Sequence, residues 1–317
     1  MQLLMVLLGS VLGLVYGYKA EGFIFSSNIC LFAGLTLIMP TLFNVKLGDV
    51  RLLLEHKLVL IKGFFVNYLL IPAIALGIGL LTNSFGIAAG LFLLSVLSGG
   101  GMVMHWIKKS DADTSLGFLF LFINLIFVSL SLLMLHNFGI HASEYFEETY
   151  SDEVNISNFA RAVINLLIVV PFIASRFVLL VKPVQDFIEK QRTYISNISI
   201  FVILFYLFGL QNSQLLFELY DFEPELIYIS IFAVLGFYLC IFIVAKLIFN
   251  LNSAQEKAAF WHSITRYITL ALVISTFSTN TFGIAMILPI MFAYIVQIPF
   301  AIYIDKKVGV LKTDEDR

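Results

Sequence analysis

Long apolar runs follow one another along almost the whole chain, and they constrain the fold more than any other feature. A membrane-spanning helix needs about 20 apolar residues, and runs of this kind recur between residues 2 and 304. Of the 317 residues, 60% are hydrophobic and 13% are charged, whereas a soluble domain carries about 25% charged residues. A soluble fold of this size has too little interior to bury so much apolar surface. The sequence therefore predicts an all-α polytopic membrane protein.

Charge and cysteine content exclude several other classes of protein. The formal net charge of −2 provides no basic surface for nucleic acid. Cys30 and Cys240 lie far apart in apolar runs, so we expect neither a disulfide framework nor a metal site. The sequence contains no HExxH or GxSxG motif and no intramembrane Asp pair, which argues against a membrane enzyme. We expect no catalytic residues and no resident cofactor.

The apolar runs predict ten transmembrane helices. Their expected bounds are 2–18, 24–44, 57–81, 85–107, 114–136, 159–181, 194–211, 225–249, 258–278 and 281–304. If both termini are cytoplasmic, all of the 19 basic residues lie on the inside except Lys19, Arg161 and Arg266. This asymmetry follows the positive-inside rule. We therefore expect a protein of the plasma (inner) membrane with both termini in the cytoplasm.

The predicted spans divide five and five around an acidic segment. We expect a first five-helix repeat at 1–137, an acidic extracytoplasmic loop at 138–158, a second five-helix repeat at 159–304 and a cytoplasmic tail at 305–317. An odd number of spans in each repeat gives the repeats opposite orientations, which is the inverted arrangement of many secondary transporters. The expected partners are the lipid bilayer and a small-molecule solute, and the sequence leaves the oligomeric state open.

The fourth span of each repeat carries unusual residues. Span 4 contains Ser98, Gly99, Gly100 and Gly101 near its middle. Consecutive glycines favour an unwound segment, although close helix packing through small residues is an alternative. Span 9 places four polar residues on one helical face: His262, Thr265, Arg266 and Thr269. Paired interruptions at matching positions of two repeats indicate a transport site, so all of these residues are candidates for substrate binding.

Arg266 is the most informative of these candidates, because a guanidinium keeps its charge and is costly to bury in a membrane. No Asp or Glu lies in the interior of a predicted span. The partner of Arg266 must therefore be a ligand, backbone oxygen exposed by an unwound helix, or an acidic side chain from a loop. A side chain that reaches the membrane interface is the alternative. We expect Arg266 to face an anionic solute.

Three further polar residues lie in the predicted spans. His105 follows the interruption of span 4 and would meet span 9 if the two helices cross. Because histidine titrates near neutral pH, His105 is a candidate for the binding of substrate or a proton, as is His262. Asn67 and Asn124 are candidates for a residual ion site, although interhelical hydrogen bonding is the commoner role of such residues.

Several stretches occur in an order that points to one family. Span 2 runs from Leu35-Thr36-Leu37-Ile38 towards Leu47-Gly48-Asp49-Val50, span 3 has Lys57 before Asn67 and Pro72, and Met102-Val103-Met104-His105-Trp106 precedes Asp111. With these stretches the chain resembles the bile acid:sodium symporter superfamily, which includes the arsenite permeases. The resemblance implies a core of spans 3–5 and 8–10, in which spans 4 and 9 cross where they unwind. It also implies a panel of spans 1, 2, 6 and 7.

The chain departs from this family pattern at the ion site. The sodium-coupled members carry an Asn after the glycine pair of helix 4, and a Glu and a Gln four residues apart in helix 9. One alignment places His262 at this Glu and Arg266 at this Gln, and a shifted alignment places Thr269 at the Glu. Neither alignment supplies a carboxylate. Asn67 stands where the family has a Gln, and Asn124 falls near hydroxyl ligands of helix 5.

These departures bear on the expected function. A fixed guanidinium repels a nearby Na⁺, which argues against full sodium coupling. The arsenite permeases carry a Cys at the interruption of helix 4, and this chain has none there, which disfavours thiolate chemistry. The sequence therefore predicts a secondary transporter of a small organic anion that is coupled to Na⁺, to H⁺ or to neither. An efflux permease for arsenite or a related oxyanion is the alternative.

Overall fold

The computed structural model describes residues 2–20, 28–43, 55–100, 103–148, 150, 165–213 and 224–315. These residues are helical apart from short connections and one isolated bridge. The helices of the first half are α1 (Gln2–Lys19), α2 (Asn28–Ala33), α3 (Met39–Leu42), α4 (Lys57–Phe65), α5 (Ile71–Leu81), α6 (Phe85–Val96), α7 (Val103–Lys109), α8 (Thr114–Ile126) and α9 (Val128–Tyr145). Those of the second half are α10 (Val170–Leu179), α11 (Lys182–Lys190), α12 (Arg192–Ser213), α13 (Pro224–Ile248), α14 (Ala254–Ile264), α15 (Ile268–Phe282) and α16 (Ile287–Glu315).

The described helices include membrane-spanning ones. Lys57–Leu81, Glu225–Ile248 and Ile287–Lys306 are long and apolar enough to cross a bilayer, and α8 with α9 makes a fourth if this pair, bent by 49°, is one span. Shorter apolar helices lie at Phe85–Val96, Val170–Leu179 and Tyr194–Tyr206. The protein is therefore an all-α membrane protein. Ten crossings in two inverted repeats stay a prediction.

Two compact units divide the chain. Unit 1 is Met1–Asn44 with Asn155–Glu225, and unit 2 is Val45–Val154 with Leu226–Arg317. The same segments are the panel and the core that the family resemblance implies. The candidate residues of spans 3, 4, 5 and 9 all belong to unit 2.

Within unit 1, a stripe of glycines packs α1 against α12. Gly9, Gly13 and Gly17 recur every four residues and share one face of α1. A Cβ at these three positions would lie 2.8, 2.5 and 2.6 Å from carbonyl oxygens of α12. The absence of side chains therefore permits the two backbones to approach closely, as is common between membrane helices.

Within unit 2, α6 is the central helix, because all of its residues are buried. The ring of Phe92 stacks on that of Phe138 from α9 with centroids 4.7 Å apart, and Phe85 packs against Phe282 from α15 at 5.4 Å. Helix α9 continues to Tyr145, beyond the end at residue 136 that apolarity alone predicts. This extension occurs because Phe138 and Ala142 remain buried on its inner face.

Candidate functional site

Two helices of unit 2 break within the predicted spans 4 and 9. Helix α6 ends at Val96, and α7 begins at Val103. Helix α14 ends at Ile264, where Thr265 is extended (φ −99°, ψ 135°), and α15 begins at Ile268. Gly99 has φ +66°, a left-handed conformation that glycine adopts without strain. The interruption predicted at 98–101 is therefore present from Leu97 to Gly100, and Gly101 lies outside the described residues.

The two breaks cross and bond to each other. The backbone N–H of Gly99 donates to the carbonyl of Thr265, and the N–H of Tyr267 donates to the carbonyl of Leu97, both at 2.9 Å. These two bonds make an antiparallel bridge that places Ser98 opposite Arg266. The unwound segments thus satisfy part of their backbone polarity with each other, as burial at membrane depth requires.

The crossing releases two helix carbonyls. In a continuous helix, the N–H groups of Gly99 and Tyr267 would donate to the carbonyls of Ser95 and Ser263, four residues earlier. Since both N–H groups bond across the crossing instead, the carbonyls of Ser95 and Ser263 need other donors.

The guanidinium of Arg266 donates hydrogen bonds to both released carbonyls. Its Nη1 donates to the carbonyl of Ser95 at 3.0 Å, and its Nη2 donates to the carbonyl of Ser263 and, at 3.0 Å, to Oδ1 of Asn67. Arg266 is 2% exposed, so its side chain does not extend to a membrane interface. The sequence left a ligand, backbone oxygen and a loop acid open as partners of Arg266. Of these, the structure shows backbone oxygen of the unwound helices, and it adds one amide oxygen.

Asn67 reaches the guanidinium from a π-helical turn, Val66–Leu70. Pro72 lacks an N–H group, and the N–H of Ile71 bonds to the carbonyl of Val66 in the π pattern. Nδ2 of Asn67 donates to the carbonyl of Gly63 at 2.9 Å and lies 3.3 Å from Oγ of Ser263. Because both contacts fix the amide nitrogen, Oδ1 is the atom that faces Arg266.

Gln297 from α16 fixes the backbone of Arg266. Its Oε1 accepts the Arg266 N–H at 2.6 Å and the hydroxyl of Tyr238 at 2.8 Å, and its Nε2 donates to the Arg266 carbonyl at 3.3 Å. The amide therefore bonds to the outer edge of the unwound segment as a neighbouring β-strand would. Gln297 is 5% exposed and Tyr238 is fully buried.

His262 lies one turn before the crossing and is fully buried. Its Nε2 is 2.9 Å from the carbonyl of Gly117, so Nε2 carries the proton. Nδ1 then accepts from Nδ2 of Asn124 at 3.4 Å. Oδ1 of Asn124 in turn lies 3.5 Å from the hydroxyl of Tyr68. This arrangement describes a neutral ring, and a second proton on Nδ1 would require the Asn124 amide to turn.

The remaining candidates differ in their surroundings. Oγ1 of Thr265 donates to the carbonyl of Trp261 at 2.6 Å. Thr269 lies in α15. His105 is exposed on α7, where its ring packs edge-on against Trp106, so the structure does not bring it into the buried network. At the crossing, two buried polar atoms have no hydrogen-bond partner among the described residues: Oγ of Ser98 and Nε of Arg266.

Two cavities adjoin this network. The smaller, of about 10 Å³, is lined by Ser98, Asn124 and Tyr267 together with apolar side chains, and it is about the size of one water molecule. The larger, of about 260 Å³, has mainly aromatic and aliphatic walls, and its polar members are Tyr68 and Asn124. Asn124 lines both cavities.

An ion pair holds the beginning of α14 to α4. Nζ of Lys62 lies 2.9 Å from Oε1 of Glu256, and Oε2 of Glu256 accepts the backbone N–H of Asn250 at 2.8 Å. Partial burial by itself raises the pKa of Glu256, but the hydrogen bonds from Lys62 and Asn250 and the charge of Lys62 together lower it.

Sequence reasoning missed several members of the network. Ser95, Ser263 and Gln297 were not among the candidates, and neither were Tyr68 and Tyr238. Gln297 gave a signal, because it is an amide within an otherwise apolar span. Ser95 and Ser263 act through backbone carbonyls, so their side chains gave none.

Comparison with models of known protein families gives a match. The family model described as "Sodium Bile acid symporter family" matches residues 30–218. The matched range includes Asn67, Asn124 and the break after α6, and it ends before α14 and Arg266. No curated protein matches the chain.

Proposed function

Since this chain belongs to the sodium bile acid symporter family, whose members are transporters, we propose that it is a secondary active transporter of a small organic anion. We further propose that it works by alternating access in the plasma (inner) membrane, with both termini in the cytoplasm and no enzymatic activity. Inverted repeats with a binding site at interrupted helices suit such a mechanism.

The observation that carries the proposal is a buried guanidinium at the crossing that no carboxylate of the described residues pairs. The three oxygens bonded to Arg266 belong to neutral groups. Among the described residues Arg266 makes no ion pair, and the pairs Lys62–Glu256 and Lys109–Asp305 lie elsewhere in unit 2. A full positive charge in a medium of low dielectric constant acts over a distance, so it favours an anionic solute near the crossing without direct contact.

The surroundings of the crossing support a small solute with an apolar part. The larger cavity offers aromatic walls with the Tyr68 hydroxyl and the Asn124 amide as polar groups, which is typical of sites for small organic molecules. The unpartnered hydroxyl of Ser98 and the Gly99–Gly100 backbone complete the proposed surface, together with His262 and Thr265. Thr269 stays a predicted member of it.

Uptake into proteoliposomes tests this function. The purified protein would be reconstituted and assayed with labelled aliphatic and aromatic carboxylates, with uncharged amides of the same carbon skeletons as controls. We expect saturable uptake and counterflow of a carboxylate but not of its amide. Arg266→Gln should abolish this uptake, whereas Arg192→Gln, which removes an arginine from unit 1, should leave most of it intact.

The same preparation separates the alternatives. Transport of only uncharged or cationic solutes would contradict the proposal, as would unchanged carboxylate uptake by Arg266→Gln. Protection of an arsenite-sensitive host by expression of the protein, without carboxylate uptake, would identify it instead as an oxyanion efflux permease. Replacing Na⁺ and imposing a pH gradient in the uptake assay would identify the coupling ion.

A further inference from the structure

We propose that the guanidinium of Arg266 is a tethered cation: it permanently fills an oxygen-lined cation site at the crossing, so that the carrier needs no free Na⁺ there. Its consequence for stability, the stability arm, depends on the geometry of the crossing alone. Its consequence for transport, the transport arm, rests on the proposed function.

The atoms around the guanidinium are those of a cation site. The Ser95 carbonyl, the Ser263 carbonyl and the Asn67 amide oxygen converge on one group from α6, α14 and the π turn. All three are neutral oxygen acceptors, which are the kind of ligand that hard cations take.

The helix ends add a favourable field. Both carbonyls belong to the last turns of their helices, α6 and α14, whose C-termini meet at the crossing. The C-terminus of a helix carries about half a negative charge. Two such ends therefore favour a cation at this point, and Arg266 supplies it in the absence of a carboxylate partner.

The oxygen set does not depend on the Arg266 side chain for its position. The carbonyls of Ser95 and Ser263 are released by the two backbone bonds across the crossing. Asn67 is oriented through its amide nitrogen by Gly63 and Ser263. The Arg266 backbone is fixed by Gln297. Truncation of the side chain would therefore leave an oxygen-lined space without a donor, and unpaired buried acceptors favour the binding of a cation.

A free cation and the guanidinium exclude each other at this place. A Na⁺ ion bound to the same oxygens would lie within a few ångströms of the guanidinium charge, and two like charges at such a distance repel strongly at low dielectric constant. The parent protein is therefore expected not to bind Na⁺ at the crossing, and a variant without the side chain is expected to bind it.

Thermal unfolding of detergent-purified protein tests the stability arm. Parent, Arg266→Ala and the control Arg192→Ala would be melted in choline chloride and in NaCl of equal ionic strength, and again with about 20 mM guanidinium chloride, far below denaturing concentrations. We expect Arg266→Ala to melt roughly 3–6 °C higher with Na⁺ or guanidinium at ten times its dissociation constant. The parent and Arg192→Ala should show no such rise.

Proteoliposome uptake tests the transport arm. We expect the parent to transport equally with Na⁺ or choline outside, to within about twofold, and Arg266→Ala to regain uptake only when Na⁺ or guanidinium is added. If Arg266→Ala does not fold, parent uptake in the two salts and the melting of Arg266→Lys, which keeps a cation and should not respond to Na⁺, still test the proposal.

A parent whose uptake or melting depends on Na⁺ would overturn the tethered cation, and so would a well-folded Arg266→Ala that responds to neither ion. If the parent transports no carboxylate at all, the proposed function fails, but rescue of Arg266→Ala stability by either cation would still support the tethered cation.

Discussion

Replacing Gln297 with leucine removes the amide that holds the Arg266 backbone while keeping a side chain of similar size. The substitution takes away three hydrogen bonds: from the Arg266 N–H at 2.6 Å, from the Tyr238 hydroxyl at 2.8 Å and to the Arg266 carbonyl at 3.3 Å. All three residues are at most 5% exposed, so water cannot easily replace the lost partner.

The expected loss of stability follows from these groups. A buried polar group left without a partner costs about 1–3 kcal/mol. Counting the two short bonds and neglecting the long one, Gln297→Leu should cost about 2–6 kcal/mol. With about 2–4 °C of melting temperature for each kcal/mol, the variant should melt roughly 4–24 °C below the parent.

A double-mutant cycle with Tyr238→Phe provides the control. Tyr238→Phe alone leaves the Arg266 N–H bonded to Gln297 and should cost only about 1 kcal/mol. In the Tyr238→Phe background no hydroxyl is left unpaired, so Gln297→Leu should cost about 1–3 kcal/mol less than it does in the parent. The assay is thermal unfolding of all four proteins in the same detergent. Strict additivity, or a Gln297→Leu variant as stable as the parent, would refute this account of the crossing.

Three further predictions concern the same unit and are checked by melting temperature, with uptake as a second readout for the first. Gly99→Ala should destabilise the protein and abolish transport, because its Cβ would collide with Nδ1 of His262 at a positive φ. Gly100→Ala should be much milder, because its Cβ meets Tyr267 at 3.3 Å. Equal effects of the two substitutions would contradict the geometry. Glu256→Gln should cost about 0.2–1 kcal/mol near neutral pH, because the ion pair is partly exposed. Since the pKa of Glu256 is lowered from 4.5 in the folded state, this contribution is present above pH 4.5 and is lost as the pH falls through the lower folded value, so the parent and variant should converge in acid. A difference that persists there would exclude the ion pair as its cause. Ser131→Ala should cost about 1–3 kcal/mol, because the Ser131 hydroxyl donates at 2.7 Å to the Val96 carbonyl at the end of α6. The control Ser129→Ala, at an exposed position, should be nearly neutral. A larger loss of stability from Ser129→Ala than from Ser131→Ala would argue against this capping role.

Much of the helical framework was predictable from local sequence. The span predicted at 57–81 coincides with the helical stretch Lys57–Leu81, because an uninterrupted apolar run between polar ends has one stable form in a bilayer. The break near Gly99 was predictable too, since consecutive glycines weaken a helix wherever they occur. The Gly9, Gly13 and Gly17 stripe of α1 was equally visible in the sequence, although its partner helix was not.

The partners of Arg266 could not be predicted individually. The sequence restricted them to a ligand, exposed backbone oxygen or a loop acid, because a permanent charge cannot stay unpaired in a low-dielectric interior. The choice among these depended on Ser95 and Asn67, which lie 171 and 199 residues from Arg266 in the chain. Neither the type of these residues nor their spacing in the sequence indicates that they contact Arg266.

The sequence by itself determined that this chain enters a membrane as helices, where one of them breaks, and that a buried cation must be satisfied there, because apolarity, glycine content and a fixed charge act locally. Only the tertiary structure decided that the Arg266 guanidinium bonds to two carbonyls and an amide of the protein itself. Those oxygens become available only after the two broken helices have crossed and exchanged their backbone hydrogen bonds.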